Sequence, residues 1–539
     1  MTLLKARTSS LIIVVLALLA AILPLHGQAQ AAARSPVLAA HIATGGNSAV
    51  LLDKDGNVWA WGDNSSGQLG NGTTAASTVP LRVSALSDIV AIDAGLSHAI
   101  ALKKDGTVWT WGGNSNGQLG DGTKDVYGPP VDIGGGVFKT ERIEDHGKKK
   151  PVQVSGLSDI IAISAGSYYN LALKKDGTVW GWGQNLNGQI AEIERAEDGR
   201  PLDVPMPVRI AGLDGIVDVK AKHMHSLALG KDGSVWAWGV GQLGQLGNGV
   251  KGLDSVRPFR VEGVQNARAL LIDYVSSGAV LQDGSTVVWG KDWFDVSHEG
   301  YDGANVNVYV SPTRVATLAN VKQAIEVGQR IVDPSVVLLK QDGTVWTWGS
   351  NGAGQLGDGT IKTRESLAKV SGLPAIAEMD GSNGSVLAVG SDGSVWAWGG
   401  NGRGQLGDGT KAVRKSPVRL KAFGVQTPKV TINGKTADVG AALIGGVLFA
   451  DAETAAKAMG AKAEKLKGGS AVRLTKGKAV AVFTAGSKSA TVNGAAMSLE
   501  QAPVLSNKRI MVPLAKLAKA LGGTVLVSKD NQSAVIAMK

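Results

Sequence analysis

The chain of 539 residues contains no cysteine. That one absence excludes disulfides, thiolate metal ligands, a cysteine nucleophile and a lipid-bearing N-terminal cysteine. Aromatic residues make up only 5% of the sequence, and none of His, Tyr or Trp occurs from residue 425 onward. The last stretch therefore offers no imidazole, thiolate or phenol to a redox-metal centre. Long hydrophobic runs are equally scarce. Leu11 to Leu25 is an unbroken apolar run, shorter than the roughly 20 residues that cross a bilayer as a helix, and no second run approaches it. Lys5 and Arg7 precede this run and Ala29-Gln30-Ala31 follows it, the order of a secretory signal with its small-residue cleavage site. Residues 1–31 are thus expected to be a signal peptide, with no membrane span left after cleavage. An exported chain without cysteine suits direct export across a bacterial membrane better than an oxidising secretory pathway. The expected location is extracellular or in the cell wall, of a Gram-positive bacterium.

What the chain has in abundance is glycine, 74 residues, within a composition that is 44% hydrophobic. Many tight turns around a buried core follow from those two figures. The turns are periodic. An Asp-Gly pair recurs at Asp55, Asp105, Asp176, Asp232, Asp283, Asp342 and Asp392, at intervals of 50, 71, 56, 51, 59 and 50 residues. Around each lies an apolar alternating run on either side, as in Ala99-Ile100-Ala101-Leu102 and Val108-Trp109-Thr110-Trp111. Two such runs joined through Asp-Gly form the strongest short-range hairpin signal, because both turn residues tolerate a positive φ. Ile89-Val90-Ala91-Ile92 supplies another strand, and Val152-Gln153-Val154 a fourth. Seven units of about 50 residues with four strands each indicate a propeller blade rather than a short solenoid coil.

Thirteen of the 14 tryptophans occupy this motif, six copies holding two each and the fifth holding Val287 and Trp289. Repetition in every copy assigns them to packing between blades rather than to a sugar platform. Gly117-Gln118-Leu119-Gly120 follows, with counterparts at Gly67, Gly244, Gly354 and Gly404. Its glycines suit turns, and its buried amide can satisfy loop backbone groups. The combination of Asp-Gly, Trp-x-Trp-Gly-x-Asn and Gly-Gln-Leu-Gly resembles the regulator of chromosome condensation repeat, including its α-tubulin-suppressor-like bacterial relatives, over residues 36 to 424. The resemblance implies a seven-bladed propeller. Secreted propeller-type β-lactamase inhibitor proteins resemble the chain in repeat type, and bind their target through aromatics on one face.

Residues 425–539 carry their own duplication. Val430-Thr431-Ile432-Asn433-Gly434 returns as Ala490-Thr491-Val492-Asn493-Gly494, and short helices are expected at Asp451 to Met459 and Pro513 to Leu521. Ile510-Met511-Val512-Pro513-Leu514 with Leu517, Leu521-Gly522-Gly523 and Val525 resembles the copper amine oxidase N-terminal-like domain, in which catalysis and copper belong elsewhere. The expected architecture is an all-β seven-bladed propeller over 32–424 followed by a small basic α+β domain. That domain holds 16 Lys and Arg against six Asp and Glu, whereas the mature propeller is close to neutral. Such a tail points to a polyanion, outside a cell an anionic wall polymer rather than nucleic acid.

No catalytic, cofactor or metal site is expected. Gly113-Asn114-Ser115-Asn116-Gly117 and Gly352-Ala353-Gly354-Gln355-Leu356-Gly357 imitate a hydrolase elbow and a dinucleotide loop, but no helix follows either. His223-Met224-His225 could pair imidazoles, yet His225 shares its repeat position with His98, which favours packing. Asp292, Asp295, Glu299 and Asp302 follow no calcium-loop spacing. Insertions at 124–150, 191–203 and 291–311 all follow the same strand and should emerge on one face. Two of them carry aromatics outside the packing motif: Tyr127 and Phe138, and Trp293, Phe294, Tyr301 and Tyr309. These six are the candidate partner-binding residues. The expected function is a monomeric, non-enzymatic binding or scaffold protein. Its propeller face takes a protein or polysaccharide, and its tail associates with the envelope. A polysaccharide-acting enzyme or a nucleotide-exchange factor is the alternative.

Overall fold

The computed structural model describes residues 41–539 apart from 133–137, 191–200, 293–306, 329–334, 421–422, 424–428 and, in the tail, 438, 440, 445–446, 467, 507–508, 528–532 and 539. The signal segment and the junction near 425 lie outside the described residues. The chain divides into two compact units, Met1–Val389 with Ala397–Val418 and Gly390–Trp396 with Arg419–Lys539.

The second repeat shows how the first unit is made. Ile89–Ala94, His98–Lys103, Val108–Gly112 and Lys148–Gln153 pair antiparallel in chain order. In the turn between the second and third strands, Lys103 N–H donates to the Thr107 carbonyl at 2.9 Å and Gly106 N–H to the Lys103 carbonyl at 2.9 Å. Only the glycine is left-handed there, at φ 83°. Asp105 instead accepts from Thr107 N–H at 3.0 Å. The dipeptide therefore works as one flexible residue and one carboxylate cap.

Seven four-stranded sheets of this kind follow one another. The first strands of successive sheets contact each other in a complete cycle, with His41–Gly45 meeting Ile376–Ser382. Thr44 N–H donates to Asp380 Oδ2 at 2.7 Å across that closing seam.

The second tryptophan of each motif joins neighbouring sheets. Trp111 Nε1 donates to the Gln68 carbonyl at 2.8 Å, Trp182 to Gln118 at 3.1 Å, Trp238 to Gln189 at 2.8 Å, Trp289 to Gln245 at 3.0 Å, Trp398 to Gln355 at 2.9 Å and Trp61 to Gln405 at 2.9 Å. Each acceptor is the loop glutamine of the preceding sheet. The glycine two residues later lets the indole approach: a Cβ on Gly120, at φ 66°, would stand 2.8 Å from Trp182 Nε1. The first tryptophan of the pair stays half-buried and reaches the Asp-Gly turn, as Trp346 does to Thr344 Oγ1 at 2.9 Å.

In the second unit, Lys429–Ile432 runs parallel to Ser533–Met538 within one four-stranded sheet. A second four-stranded sheet and a five-stranded one, Lys462–Lys465 through Ala495–Ser498, complete the strands. Helices α1 (Ala452–Ala458) and α2 (Leu514–Ala520) bury Ala455, Ala456, Leu517 and Ala518 in the common core. Asp451 caps α1 by accepting from Thr454 N–H at 2.8 Å. Asn433 and Asn493 take φ 48° and 49° in two hairpin turns, where a short polar side chain tolerates the left-handed region.

Candidate interaction face

Antiparallel order dictates which loops share an end of the ring. The turn after each first strand and the end of each third strand lie together, since His98 stands opposite Gly112 and Lys148 also pairs with Gly112. The Gly-Gln-Leu-Gly loops and the insertion at 124–150 therefore emerge at one end, the Asp-Gly turns at the other.

The repeat loops at this end bond mostly within themselves, although the buried Gln118 Nε2 has no hydrogen-bond partner among the described residues. Gln118 Oε1 accepts from Asn116 N–H at 2.8 Å, and Asn114 accepts from Leu119 N–H at 3.1 Å while its amide donates to the Thr123 carbonyl at 2.9 Å. His98 is wholly buried, with Nε2 2.9 Å from Asn170 Oδ1 and Nδ1 without a partner. Burial lowers its pKa to about 4, the Asn170 hydrogen bond opposing. His225 is lowered to about 3 by burial and then by His223. The two imidazoles of His223-Met224-His225 do not share a face. His225 bonds Ser277 Oγ at 2.9 Å, whereas His223 sits in the turn at φ 50° with its ring 4.9 Å from Tyr274.

The insertion at 124–150 forms a ribbon arm. Val126–Tyr127 pairs with Arg142–Glu144, and Val131–Asp132 with Phe138–Lys139. Its base is held by Asp125, whose side chain is 1% exposed; it accepts from His146 N–H at 2.8 Å and from the Arg142 guanidinium at 3.1 Å. Arg142 also meets Asp145 at 3.0 Å. Beyond this base the arm displays Val126, Tyr127 at 47%, Val131 and Ile143 at 65% exposure. Phe138 lies on a strand of the same arm.

Of the other candidates, Trp293, Phe294 and Tyr301 lie outside the described residues, as do Asp295, Glu299 and Asp302. Tyr309 stands on Val308–Arg314, half-buried against the cores of the fourth to sixth sheets, and donates to Asp292 Oδ2 at 3.2 Å.

Around the centre of the ring the structure gathers charges that the sequence reading did not single out. Lys222 lies 3.8 Å from Asp380, and Lys291 lies 3.7 Å from Glu326 with both side chains under 8% exposed. Asp93 accepts from Ala165 N–H at 2.8 Å and Ser164 Oγ at 3.1 Å. Burial alone would lower the Lys222 pKa, but Asp380, Asp93 and Asp273 raise it. Its side chain keeps 24% of its surface open although protein surrounds it, as expected for a group lining the central opening. Asp273 is pushed well up by burial and by the charge of Glu326. Burial raises Glu326 too, with Lys291 and a hydrogen bond from Asp273 opposing. Both carboxyls are thus held above the usual carboxylate range, with burial the leading cause for each. Buried behind the first strands, the pair joins the fifth sheet to the sixth. The available signal was a charged residue near the end of an apolar first strand, at nearly the same place in five copies.

In the second unit, Glu453, Glu464 and Glu500 pair with Lys465, Arg473 and Lys516. Among the described residues, the exposed Lys435, Lys478, Lys488 and Lys519 have no carboxylate partner. Also among the described residues, no helix is long and apolar enough to cross a membrane.

Comparison with known proteins converges on these repeats. The RCC1-like domain matches residues 22–331, the regulator of chromosome condensation (RCC1) repeat matches 342–389 and 392–432, and the copper amine oxidase N-terminal domain matches 431–536. Mouse E3 ubiquitin-protein ligase HERC2 is 30% identical over 61% of this chain, which spans only 6% of HERC2. Two solved structures share the fold: yeast RCC1 (Prp20) bound to Kap60, with TM-score 0.52, 22% identity and 68% and 83% of the two chains covered, and human WBSCR16, with TM-score 0.54, 22% identity and 68% and 94% covered.

Proposed function

The chain belongs to the RCC1-like domain family, and from that premise we propose that it is an exported, envelope-associated scaffold that binds another protein through the loop end of a seven-bladed propeller. The cycle of seven sheets supports the blade count, and the helices of the tail packed on its sheets support a separate α+β module over 425–539. Lys5, Arg7 and the apolar run to Leu25 support export. The unpaired lysines of the tail suit an anionic wall polymer, held by contacts that salt screens.

One observation carries the binding reading: the ribbon arm holds an exposed apolar surface around Tyr127 on a base anchored by Asp125. Aromatic residues on a preorganised support bind at low entropic cost. A second copy of the anchor-and-display pattern is not needed for the reading to hold.

The test places a photo-crosslinking residue at Tyr127, and as control at the exposed Lys104 in the Asp-Gly turn at the opposite end, in cells exporting the protein. Discrete adducts from position 127 alone are expected. Equal labelling from both positions rejects the arm as the binding element. In the same cells, release of the protein from the envelope by high salt is expected if the tail makes the charge contact.

A further inference from the structure

A cavity of about 750 Å³ opens where the sixth, seventh and first sheets meet, at the same end of the ring as the arm. That volume is within the range of ligand sites. Its lining contains Arg403 as the one charged residue, the amides Asn47, Asn383 and Gln405, and bare backbone at Gly352 and Gly402. Among the described residues, no carboxylate and no aromatic ring lines it.

The two glycines are the informative residues. Most glycines of these loops are explained by a left-handed φ or by a neighbour that a Cβ would strike. Gly352 and Gly402 are not: neither has a left-handed φ, and a Cβ on either would meet nothing within 4 Å. The same loop position holds Ser65 in the first copy, Ser115 in the second and Leu186 in the third. Folding therefore tolerates a side chain there. Only the two copies bordering the cavity leave it out, and the effect is to expose peptide backbone at the cavity mouth.

The polar groups are arranged to receive a chain. Asn47 Oδ1 already accepts from Gln405 Nε2 at 3.4 Å and Asn383 Nδ2 at 3.5 Å. This orients the Asn47 amide so that its own N–H donors, and the Asn383 oxygen, have no partner among the described residues. A free primary-amide donor beside a free amide acceptor matches the C=O and N–H of one peptide unit. Beside them the Arg403 guanidinium has no ion-pair or hydrogen-bond partner among the described residues, while the Arg403 backbone N–H donates to Gln405 Oε1 at 2.9 Å and fixes the loop. A guanidinium without a carboxylate nearby is a fork for one supplied by the ligand.

We propose that this cavity binds an extended acidic segment of a partner protein, its carboxylate on Arg403 and its backbone against the Asn47 and Asn383 amides and the bare loop backbone at Gly352 and Gly402. The assignment rests on the reading of this end of the ring as the interaction face. The missing aromatic ring disfavours a sugar, which would have no face to stack on, and the amide pair favours a peptide.

The test selects short random peptides displayed on phage against the full-length protein, then measures the enriched peptides on purified variants by fluorescence anisotropy. Enrichment of acidic peptides is expected, with affinity reduced at least about tenfold by Gly402→Ser, by Gly352→Ser and by Arg403→Gln. The two serine variants should keep the thermal midpoint of the parent, since sister copies carry serine there, so a loss of binding cannot be blamed on misfolding. Enriched peptides that ignore all three substitutions overturn the cavity assignment. If such peptides are lost instead with Tyr127→Ala, the interaction face stands and the cavity proposal alone fails. Oligogalacturonate binding that is abolished by Gly402→Ser, with no acidic peptide enriched, replaces the peptide with an acidic glycan and also overturns it.

Discussion

Two regions at the same end of the ring, a few residues apart in each copy, follow opposite rules. The Gly-Gln-Leu-Gly loop recurs in five copies and the second tryptophan in all seven, and their main-chain acceptors close the seam: the Gln118 carbonyl alone accepts from Trp182 Nε1 and from Asn170 Nδ2 at 2.8 Å. The positions that break the repeat behave differently. The arm at 126–144 leaves Tyr127 and Ile143 in solvent, and Gly402 leaves space that its sisters fill. In a chain of near-identical units, repetition marks what closes the fold, and departure marks what one unit does beyond that.

The largest expected effects test the repeated side. Trp182 is fully buried, so Trp182→Ala should lower stability by about 3–5 kcal/mol, read as a fall in denaturant midpoint at constant slope. Trp180, half-buried on the same strand, should cost distinctly less when truncated. Equal losses from the two would break the division of labour within the pair. Gly120→Ala should destabilise as well, by about 1–3 kcal/mol, because its Cβ would fall against the Trp182 indole.

Lys222 tests the central charges. Lys222→Met leaves Asp380 and Asp93 without their cation, a loss of about 3–5 kcal/mol by the usual cost of half a buried ion pair. Asp273→Asn should be milder, because burial and the Glu326 charge already disfavour the ionised form of the Asp273 carboxyl. A severe effect of Asp273→Asn alongside a harmless Lys222→Met would invert this assignment of charge.

These charges also show where reading the sequence stopped. The Asp-Gly spacing, the tryptophan pairs and the loop motif were legible because each is a local pattern repeated at a fixed period. The Asn433-Gly434 and Asn493-Gly494 turns were legible for the same reason. The charge cluster was not, since Asp93, Lys222, Asp273, Glu326 and Asp380 differ in type and meet only when the ring closes. Gly352 was read as part of a false dinucleotide loop, because a sequence cannot show that a glycine has room for a side chain. Of the six aromatics chosen for binding, Tyr127 is displayed on the arm and Tyr309 is half-buried between sheets. Phe138 is placed on an arm strand, and the other three lie outside the described residues.

Acid should separate the buried histidines from the rest. Unfolded histidine takes a proton below about pH 6.5, whereas folded His98 and His225 resist until about 4 and 3. The unfolded state then binds more protons between those values, so stability is present above pH 6.5 and falls as the pH drops toward 4. The full effect is on the order of 3 kcal/mol per histidine. Ser48 and Ser276 stand at the equivalent register position in sister sheets, opposite the glycine that ends the third strand. His98→Ser with His225→Ser should therefore fold and flatten the acid limb of the midpoint-against-pH curve. An unchanged acid limb would place the titrating groups elsewhere.

The smallest expected effect is the sharpest probe of the comparison. Tyr127 lies 47% exposed on a ribbon whose base depends on Asp125 and Arg142, not on the tyrosine ring. Tyr127→Ala and Ile143→Ser should each change stability by no more than about 0.5 kcal/mol, the range of surface substitutions, yet weaken partner capture by the arm, read with the crosslinking residue at the exposed Val131. Asp125→Ala should do the reverse in part: it frees the Arg142 guanidinium and His146 N–H, loosens the base, and lowers partner binding through loss of preorganisation while Tyr127 remains. If Asp125→Ala leaves binding intact and Tyr127→Ala alone abolishes it, the side chain suffices and the anchored base is incidental. If both reduce binding and only Asp125→Ala reduces stability, the arm binds because the fold holds it out.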